Sequence, residues 1–338
     1  MDNEVKLSIN TSSLIMSKKH NSLAMSVFQT CKDNIMAWIL NYYIDVINDP
    51  ASLWQYDFYI KNPWFTAEGL TESNNMTFYN DAFNYKSLDI IYLIKNMLSK
   101  GYYVRGDYNT YYIPVKKSYM KVNHNTEYLI VGYSEEKKVF YILDKTINSD
   151  LEIYELTYGD YQAAIANRTD KKFNLNFIYV YRDFDNSIKP LTIKDSLINY
   201  LYSILLEKEK NSTKIYGANC FKQFVTYIRK MSEIYNNIDI RYAKFFVEHK
   251  NFMQMRMHCL YDLGSIKNMD IIQNFDDIYT DALTVYNLIN AYNEKHNYKD
   301  AVSIDLMISD INKREKNALK VVIDLMNHDI EEARTNTK

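Results

Sequence analysis

The spacing of the apolar residues changes near Pro190. From residue 102 to residue 181 they form short β-rich runs separated by polar turns. From residue 193 to residue 332 they recur with the 3.6-residue period of amphipathic helices. With 338 residues the chain is long enough for two domains that each bury a core. We therefore predict an α+β domain over residues 1–187 and an all-α domain over residues 188–338.

The same two periodicities place the individual elements. We predict a helix from Cys31 to Val46, ended by Asp49 and Pro50. The run EYLIVGYSEEKKVFYILD predicts a β-hairpin that turns at residues 134–137. The remaining predicted elements are helices over 86–99, 193–208, 219–235, 240–263, 270–294 and 303–332, and strands over 102–105, 111–113, 151–156 and 177–181.

Charge and composition argue against several kinds of partner. The net charge is −2 and no basic run is interleaved with aromatic residues, so we expect no nucleic acid partner. No stretch reaches 18 uninterrupted apolar residues, and the first residues lack the order of a signal peptide, so we expect a cytoplasmic protein without a membrane partner. Metal-ligand spacings and glycine-rich phosphate loops are missing as well, which predicts neither a metal nor a nucleotide cofactor.

Cys31 is the candidate nucleophile. The sequence places it at the amino end of the predicted helix, where the helix dipole lowers a thiol pKa and favours the thiolate. Its own backbone N–H and the side-chain amide of Gln29 are candidate donors to an oxyanion. The alternative is that Cys31 is an inert, small apolar residue. The other two cysteines, Cys220 and Cys259, lie within helical stripes, where we expect small apolar residues without catalytic roles.

His124 and Asp144 are the candidate general base and its orienting carboxylate. His124 stands just before the first strand of the predicted hairpin, and Asp144 closes the second strand. The start of one strand and the end of the other lie side by side in a hairpin, so we expect the ring and the carboxylate to meet. Taken singly, each residue has a simpler explanation, a solvated loop histidine and a turn-forming aspartate.

A cysteine at a helix start, a histidine at a strand start and an aspartate at a hairpin end follow the order of the papain-like cysteine-protease fold. The segments YYIPV, HNTEYLIVGY and VFYILD resemble the amino-terminal domain of the butirosin-biosynthesis acyltransferase family. YGANCFKQF and YAKFFVEHKNFMQMRMHCL resemble the helical domain that follows it. In one respect the chain departs from the family, because Thr126 occupies the usual histidine position. His124 precedes it by two residues, roughly 6 to 7 Å along a strand.

The resemblance implies an acyltransferase or amide synthase of natural-product biosynthesis. Such an enzyme takes a peptidyl or polythioamide-type acyl group from a carrier-protein thioester, holds it on the cysteine and delivers it to an amine such as a diamine. It implies an acyl or peptidyl carrier protein as partner, with the phosphopantetheine arm as substrate handle and no other cofactor. Two alternatives remain open: a cysteine hydrolase or protease of the same fold, and a non-catalytic binding member.

Overall fold

The computed structural model describes residues 3–30, 35–49, 56–58, 71–79, 89–146, 151–170, 172–181, 187–202 and 214–336. The chain divides into two compact units. The first unit contains residues 1–35 and 61–185, and the second contains residues 36–60 and 186–338. The prediction of a mixed α and β protein with a helical carboxy-terminal region is confirmed. Residues 36–60 therefore belong to the second unit. The domains predicted from the sequence have a single boundary, between residues 187 and 188, and place residues 36–60 in the first domain.

The helices and strands are numbered in the order in which they occur along the chain. The elements are β1 (Glu4–Lys6), α1 (Lys19–Phe28), α2 (Ile35–Tyr42), β2 (Val46–Asn48), β3 (Tyr56–Phe58), β4 (Thr71–Tyr79), α3 (Ile90–Ser99), β5 (Tyr103–Asn109), β6 (Asn125–Ser134), β7 (Val139–Lys145), β8 (Leu151–Thr157), α4 (Tyr158–Ala166), β9 (Lys172–Val180), α5 (Pro190–Tyr202), β10 (Ile215–Tyr216), α6 (Cys220–Glu233), α7 (Ile240–Asp262), α8 (Met269–Lys295) and α9 (Tyr298–Asn336).

The first unit is built on one antiparallel sheet. Its strands lie in the order β4-β9-β5-β6-β7-β8, and β1 adds to β6. The predicted hairpin is confirmed, since β6 pairs with β7 from Leu129 opposite Leu143 to Ser134 opposite Val139. Its turn occupies residues 135–138, one residue later than predicted.

The core of the first unit is formed where α3 and α4 cover this sheet. Alternate residues along β5, β6 and β7 point to the two faces of the sheet. Those on the covered face form one buried cluster with Ile94 of α3 and Tyr161 of α4. The strand residues of this cluster include Val104, Tyr108, Tyr128, Ile130, Phe140 and Ile142.

Helix α1 was not predicted from the sequence. All eight residues from Asn21 to Phe28 are buried, including the polar Asn21, Ser22 and Ser26. A helix that is buried on every side has no polar face, so it shows no 3.6-residue stripe. α1 contacts β6 and β7, which places its first residues near the open end of the hairpin.

The predicted helix from Cys31 to Val46 is shorter than expected. Cys31 lies outside the described residues, α2 ends at Tyr42, and Val46 belongs to strand β2. The buried Arg256 of α7 explains this end, because its guanidinium donates to the carbonyl oxygens of Leu40 (2.7 Å) and Tyr43 (2.9 Å). The last carbonyls of a helix need such donors, and a cation there is favoured by the helix dipole.

A second local prediction is also wrong. Residues 111–113 were expected to form a strand, but Thr110–Tyr112 form a 3-10 turn. The side chain of Asn109 accepts a hydrogen bond from the backbone N–H of Tyr111 (3.0 Å), which favours a turn over a continued strand.

The second unit holds a fully buried ion pair among its helices. Glu315 of α9 accepts hydrogen bonds through Oε2 from Lys250 of α7 (2.7 Å) and from the hydroxyl of Tyr200 of α5 (2.7 Å). All three residues have no exposed surface. Removing one partner of such a pair leaves a buried charge uncompensated, so the pair fixes the packing of α5, α7 and α9.

A glycine in β6 provides a test of the sheet. A Cβ atom at Gly132 would lie 2.1 Å from the carbonyl oxygen of Val5 in β1. β1 pairs with β6 here, next to the shift in the β6–β7 register between Ile130 and Gly132. We expect Gly132→Ala to reduce the free energy of unfolding by about 1 to 3 kcal/mol in urea denaturation. Gly159→Ala is the matched control, because a Cβ there meets only Thr157 Oγ1 at 3.9 Å within the first turn of α4. Equal effects of the two substitutions would contradict the close approach of β1.

Candidate functional site

Asp144 is the fully buried carboxylate at the end of the hairpin. It lies on β7, two residues after Ile142, and the alternation of the strand turns both side chains toward the covered face of the sheet. A carboxylate without exposed surface needs opposite charges and hydrogen-bond donors to remain ionised. The sequence placed Asp144 at this end of the hairpin, and that position is confirmed.

Two lysines and a tyrosine surround this carboxylate. Oδ1 contacts the ammonium group of Lys19 and accepts from the backbone N–H of Lys145 (2.6 Å). Oδ2 lies 2.5 Å from Lys116 Nζ and accepts a hydrogen bond from the hydroxyl of Tyr108. Lys19 is the first residue of α1, and Lys116 follows the 3-10 turn. We call Asp144, Lys19, Lys116 and Tyr108 the lysine–aspartate cluster.

The cluster carries one positive charge in excess, since two ammonium groups share one carboxylate. Burial lowers the pKa of Lys116 to about 8, Asp144 opposes this shift, and the nearby Lys19 adds to it. Burial is also the main reason that the pKa of Tyr108 is raised well above its ordinary value. An excess positive charge in a site of low dielectric favours an anion or a partly negative oxygen atom.

Lys19 also links the cluster to Thr126. Its ammonium group donates to Thr126 Oγ1 (2.8 Å) as well as contacting Asp144. Thr126 is the position where the acyltransferase resemblance implies a histidine. The helix start that reaches the hairpin end is therefore that of α1, and α1 contains no cysteine.

The predicted contact between His124 and Asp144 is not found among the described residues. The His124 side chain is exposed, and only its backbone is held: the N–H donates to Asn109 Oδ1 (3.3 Å) and the carbonyl accepts from the Thr110 N–H (2.8 Å). The carboxylate of Asp144 is already occupied by the donors of the cluster. The ammonium group of Lys19 thus takes the place predicted for the imidazole.

Gln29, the predicted oxyanion donor, has a local structural role in the described part of the chain. It follows the last residue of α1; its Nε2 donates to the Ser12 carbonyl (3.2 Å), and its Oε1 accepts from the Leu14 N–H (3.1 Å). Ten helical residues separate Gln29 from Lys19, a rise of roughly 15 Å. Cys31 lies outside the described residues, and the catalytic roles predicted for Cys31 and Gln29 stay predictions.

Two pairs of tyrosine hydroxyls, joined by a ring stack, lie between the cluster and the core. Tyr108 donates to Asp144, so the hydroxyl of Tyr154, 2.5 Å away, must donate to Tyr108. The ring of Tyr108 stacks on Tyr128 with centroids 4.6 Å apart, and the Tyr128 and Tyr161 hydroxyls lie 2.7 Å from each other. These buried phenols satisfy one another, which lets polar tips lie inside an apolar core.

The other two cysteines lie in the second unit. Cys220 is buried and its Sγ contacts the carbonyl oxygen of Ile215 (3.0 Å), and burial raises the pKa of its thiol. Cys259 is half-buried, and burial raises its thiol pKa as well. A raised pKa disfavours the nucleophilic thiolate at both positions.

Comparisons with known proteins leave the family open. No protein-family model matches this chain. No curated protein is similar enough to be matched with it. Within the described ranges, no helix has the length and apolar character needed to span a bilayer. The same ranges contain no group of three or more His, Cys, Asp or Glu side chains arranged to hold a metal ion.

Removal of the central carboxylate tests the cluster. We expect Asp144→Asn to lower the free energy of unfolding by about 3 kcal/mol, because the ammonium groups of Lys19 and Lys116 lose their buried counter-ion. Urea denaturation at pH 7 measures this change. Glu155→Gln is the control, since it breaks an exposed ion pair with Lys137, and exposed ion pairs contribute little to stability. A loss for Asp144→Asn no greater than that of the control would contradict the ion pairing.

The pKa of Lys116 predicts a pH dependence of stability. Between pH 8 and 10.5 the folded protein releases the Lys116 proton while the unfolded chain keeps it. The unfolded state then binds more protons, so stability rises with pH in this window. Relative to Lys116→Met, we expect the wild-type protein to gain on the order of 2 kcal/mol between pH 7.5 and 9.5 in urea denaturation. Lys117→Met, at an exposed neighbouring position, should show a smaller change; a difference that falls with pH would contradict the prediction.

Proposed function

We propose that the first unit binds an acyl group through its carbonyl or carboxylate oxygen at the lysine–aspartate cluster, as a non-catalytic member of the acyltransferase type. The observation that carries this proposal is the position of Lys19, which bridges Asp144 and Thr126 at the open end of the hairpin. A cysteine acyltransferase needs a thiolate and an imidazole at such a place. Here the start of α1 brings an ammonium group to the end of the hairpin instead.

Lys19 has the donor that this binding requires. An ammonium group carries three N–H donors. The described contacts use two of them, on Asp144 and Thr126, and the side chain keeps 22% of its surface exposed. The third donor is available to an oxygen atom of a ligand. The excess positive charge of the cluster strengthens this hydrogen bond, because charge-assisted bonds are stronger than neutral ones.

The choice of acyl donor in this proposal rests on the sequence resemblance. The resemblance implies a carrier-protein thioester as donor and a small amine as acceptor. A binding member would hold the carrier-borne acyl group without forming a covalent bond to it. Such a protein presents or protects an acyl chain for a separate enzyme that forms the amide.

Acyl transfer through Cys31 is the second candidate function. It is favoured by the exposed His124 ring, which makes no hydrogen bond in the described part of the chain. In this mechanism the Cys31 thiolate attacks the thioester carbonyl, the phosphopantetheine thiol leaves with a proton, and an amine then displaces Cys31 with His124 as general base. Asp144 would not orient His124, because its oxygens are held by the cluster. A hydrolase would share these steps, with water in place of the amine.

Intact-protein mass spectrometry with a small aromatic acyl thioester distinguishes the two functions. Binding without transfer predicts no added mass on the wild-type protein and a thioester that survives incubation with a diamine. A mass increase that Cys31→Ala abolishes and Cys259→Ala retains would establish the acyl-enzyme and reject our leading proposal. Amide or free acid as the released product would then separate transferase from hydrolase.

Binding itself is tested by calorimetric titration with the same thioester. We expect Lys19→Met to weaken binding at least about tenfold, the effect of losing one charge-assisted hydrogen bond. Lys137→Met removes an exposed lysine from the hairpin turn and is the matched control. Unchanged affinity in a folded Lys19→Met protein would contradict a role for the cluster in binding.

A further inference from the structure

A cleft in the second unit separates one face of α6 from one face of α9, beside the carboxyl end of α5. Its volume is about 660 Å³, which is within the range of small-molecule sites. Along α6 the lining positions Lys222, Thr226 and Arg229 are spaced by four and three residues, and along α9 Lys313, Lys316 and Lys320 are spaced by three and four. Residues with these spacings share one face of a helix, so two cationic faces meet across the cleft.

The lining of the cleft is strongly positive. Among its described residues it contains four lysines and one arginine, and neither aspartate nor glutamate. Arg229 is neutralised by Asp305, whose Oδ1 accepts from Nη2 at 3.1 Å. Burial is the main reason that the pKa of Lys316 is lowered; the nearby charges of Lys222 and Lys320 add to this shift, and Glu315 opposes it. This self-repulsion would be relieved by an anion in the cleft.

The side chain of Asn312 is a second feature that favours a bound ligand. It lines the cleft from α9, and only 7% of its surface is exposed. Its Oδ1 is buried and accepts no hydrogen bond from any described residue. A buried acceptor without a donor is destabilising, and a ligand N–H or O–H group would satisfy it. The apolar side chains of Leu201 and Val225 complete the lining.

We propose that this cleft binds an organic phosphate, with the phosphate on Lys222, Lys316 and Lys320 and an N–H or O–H donor of the same molecule on Asn312. A concave site with an apolar wall and one deep acceptor suits a small ester more than an extended polyanion. A nucleic acid strand would use an open basic surface with aromatic stacking residues, and among the described residues that line the cleft only Tyr202 is aromatic. This binding is independent of the acyl-binding proposal, which concerns the first unit.

Calorimetric titration of the full chain with AMP, glucose 6-phosphate and glycerol 3-phosphate tests the inference, with adenosine and glucose as phosphate-free controls. We expect at least one ester to bind, and to bind at least about tenfold more tightly than its phosphate-free counterpart, as expected for a charge-assisted contact. Binding of none of the three esters at 10 mM, a concentration on the order of the weakest specific sites, would overturn the inference. Tight binding of a single-stranded oligonucleotide without binding of any ester would overturn it as well.

Three variants locate the site. Lys222→Gln combined with Lys316→Gln should weaken ester binding at least about tenfold. Lys230→Gln, on the same helix but outside the cleft lining, should leave it unchanged. Asn312→Leu should weaken the ester and leave the affinity for inorganic phosphate unchanged, because it removes the acceptor and keeps the cations. Since Asn312 Oδ1 has no described donor to lose, this variant is expected to fold; equal weakening by Lys230→Gln would overturn the location.

Discussion

The buried charge of Asp144 constrains the first unit more than any other single group. A carboxylate with no exposed surface stays ionised only if cations and donors surround it, and here Lys19, Lys116 and Tyr108 bring them from three other places in the chain. Lys19 begins α1, Lys116 follows the 3-10 turn, Tyr108 lies on β5 and Asp144 closes β7. The electrostatic requirement of one residue thereby fixes the start of a helix, a connecting loop and two strands in one arrangement.

Local periodicity made much of the fold predictable, and the exceptions have physical causes. The β6–β7 hairpin is visible in the sequence as two apolar runs separated by a polar turn, and the helices from α5 to α9 show the 3.6-residue spacing of helices with one buried face. α1 is buried on all sides and lacks that pattern. α2 ends early because Arg256, more than 200 residues later, satisfies its last carbonyls. Such distant contacts leave no trace in local spacing.

In the candidate site, too, the features set by nearby residues could be predicted from the sequence, and the contacts between distant residues could not. The position of Asp144 at the end of a strand followed from the hairpin pattern and was correct. Its contact with Lys19 was not predicted, because this pairing joins residues 125 positions apart and nothing in the SKKH segment distinguishes one lysine from another. Lys116 and Tyr108 were missed for the same reason. Polar side chains of ordinary type acquire a role only when the tertiary fold removes them from water.

The contact between β1 and Gly132 has a consequence for the behaviour of the whole molecule. β5 pairs with β6 only as far as Ile130, and β1 covers the backbone of β6 from Gly132 to Ser134. Without these three residues the exposed N–H and C=O groups of β6 would form a template for another strand. Loss or displacement of β1 would therefore expose these groups of β6 and favour self-association. By pairing with β6, the short strand β1 protects this edge from aggregation.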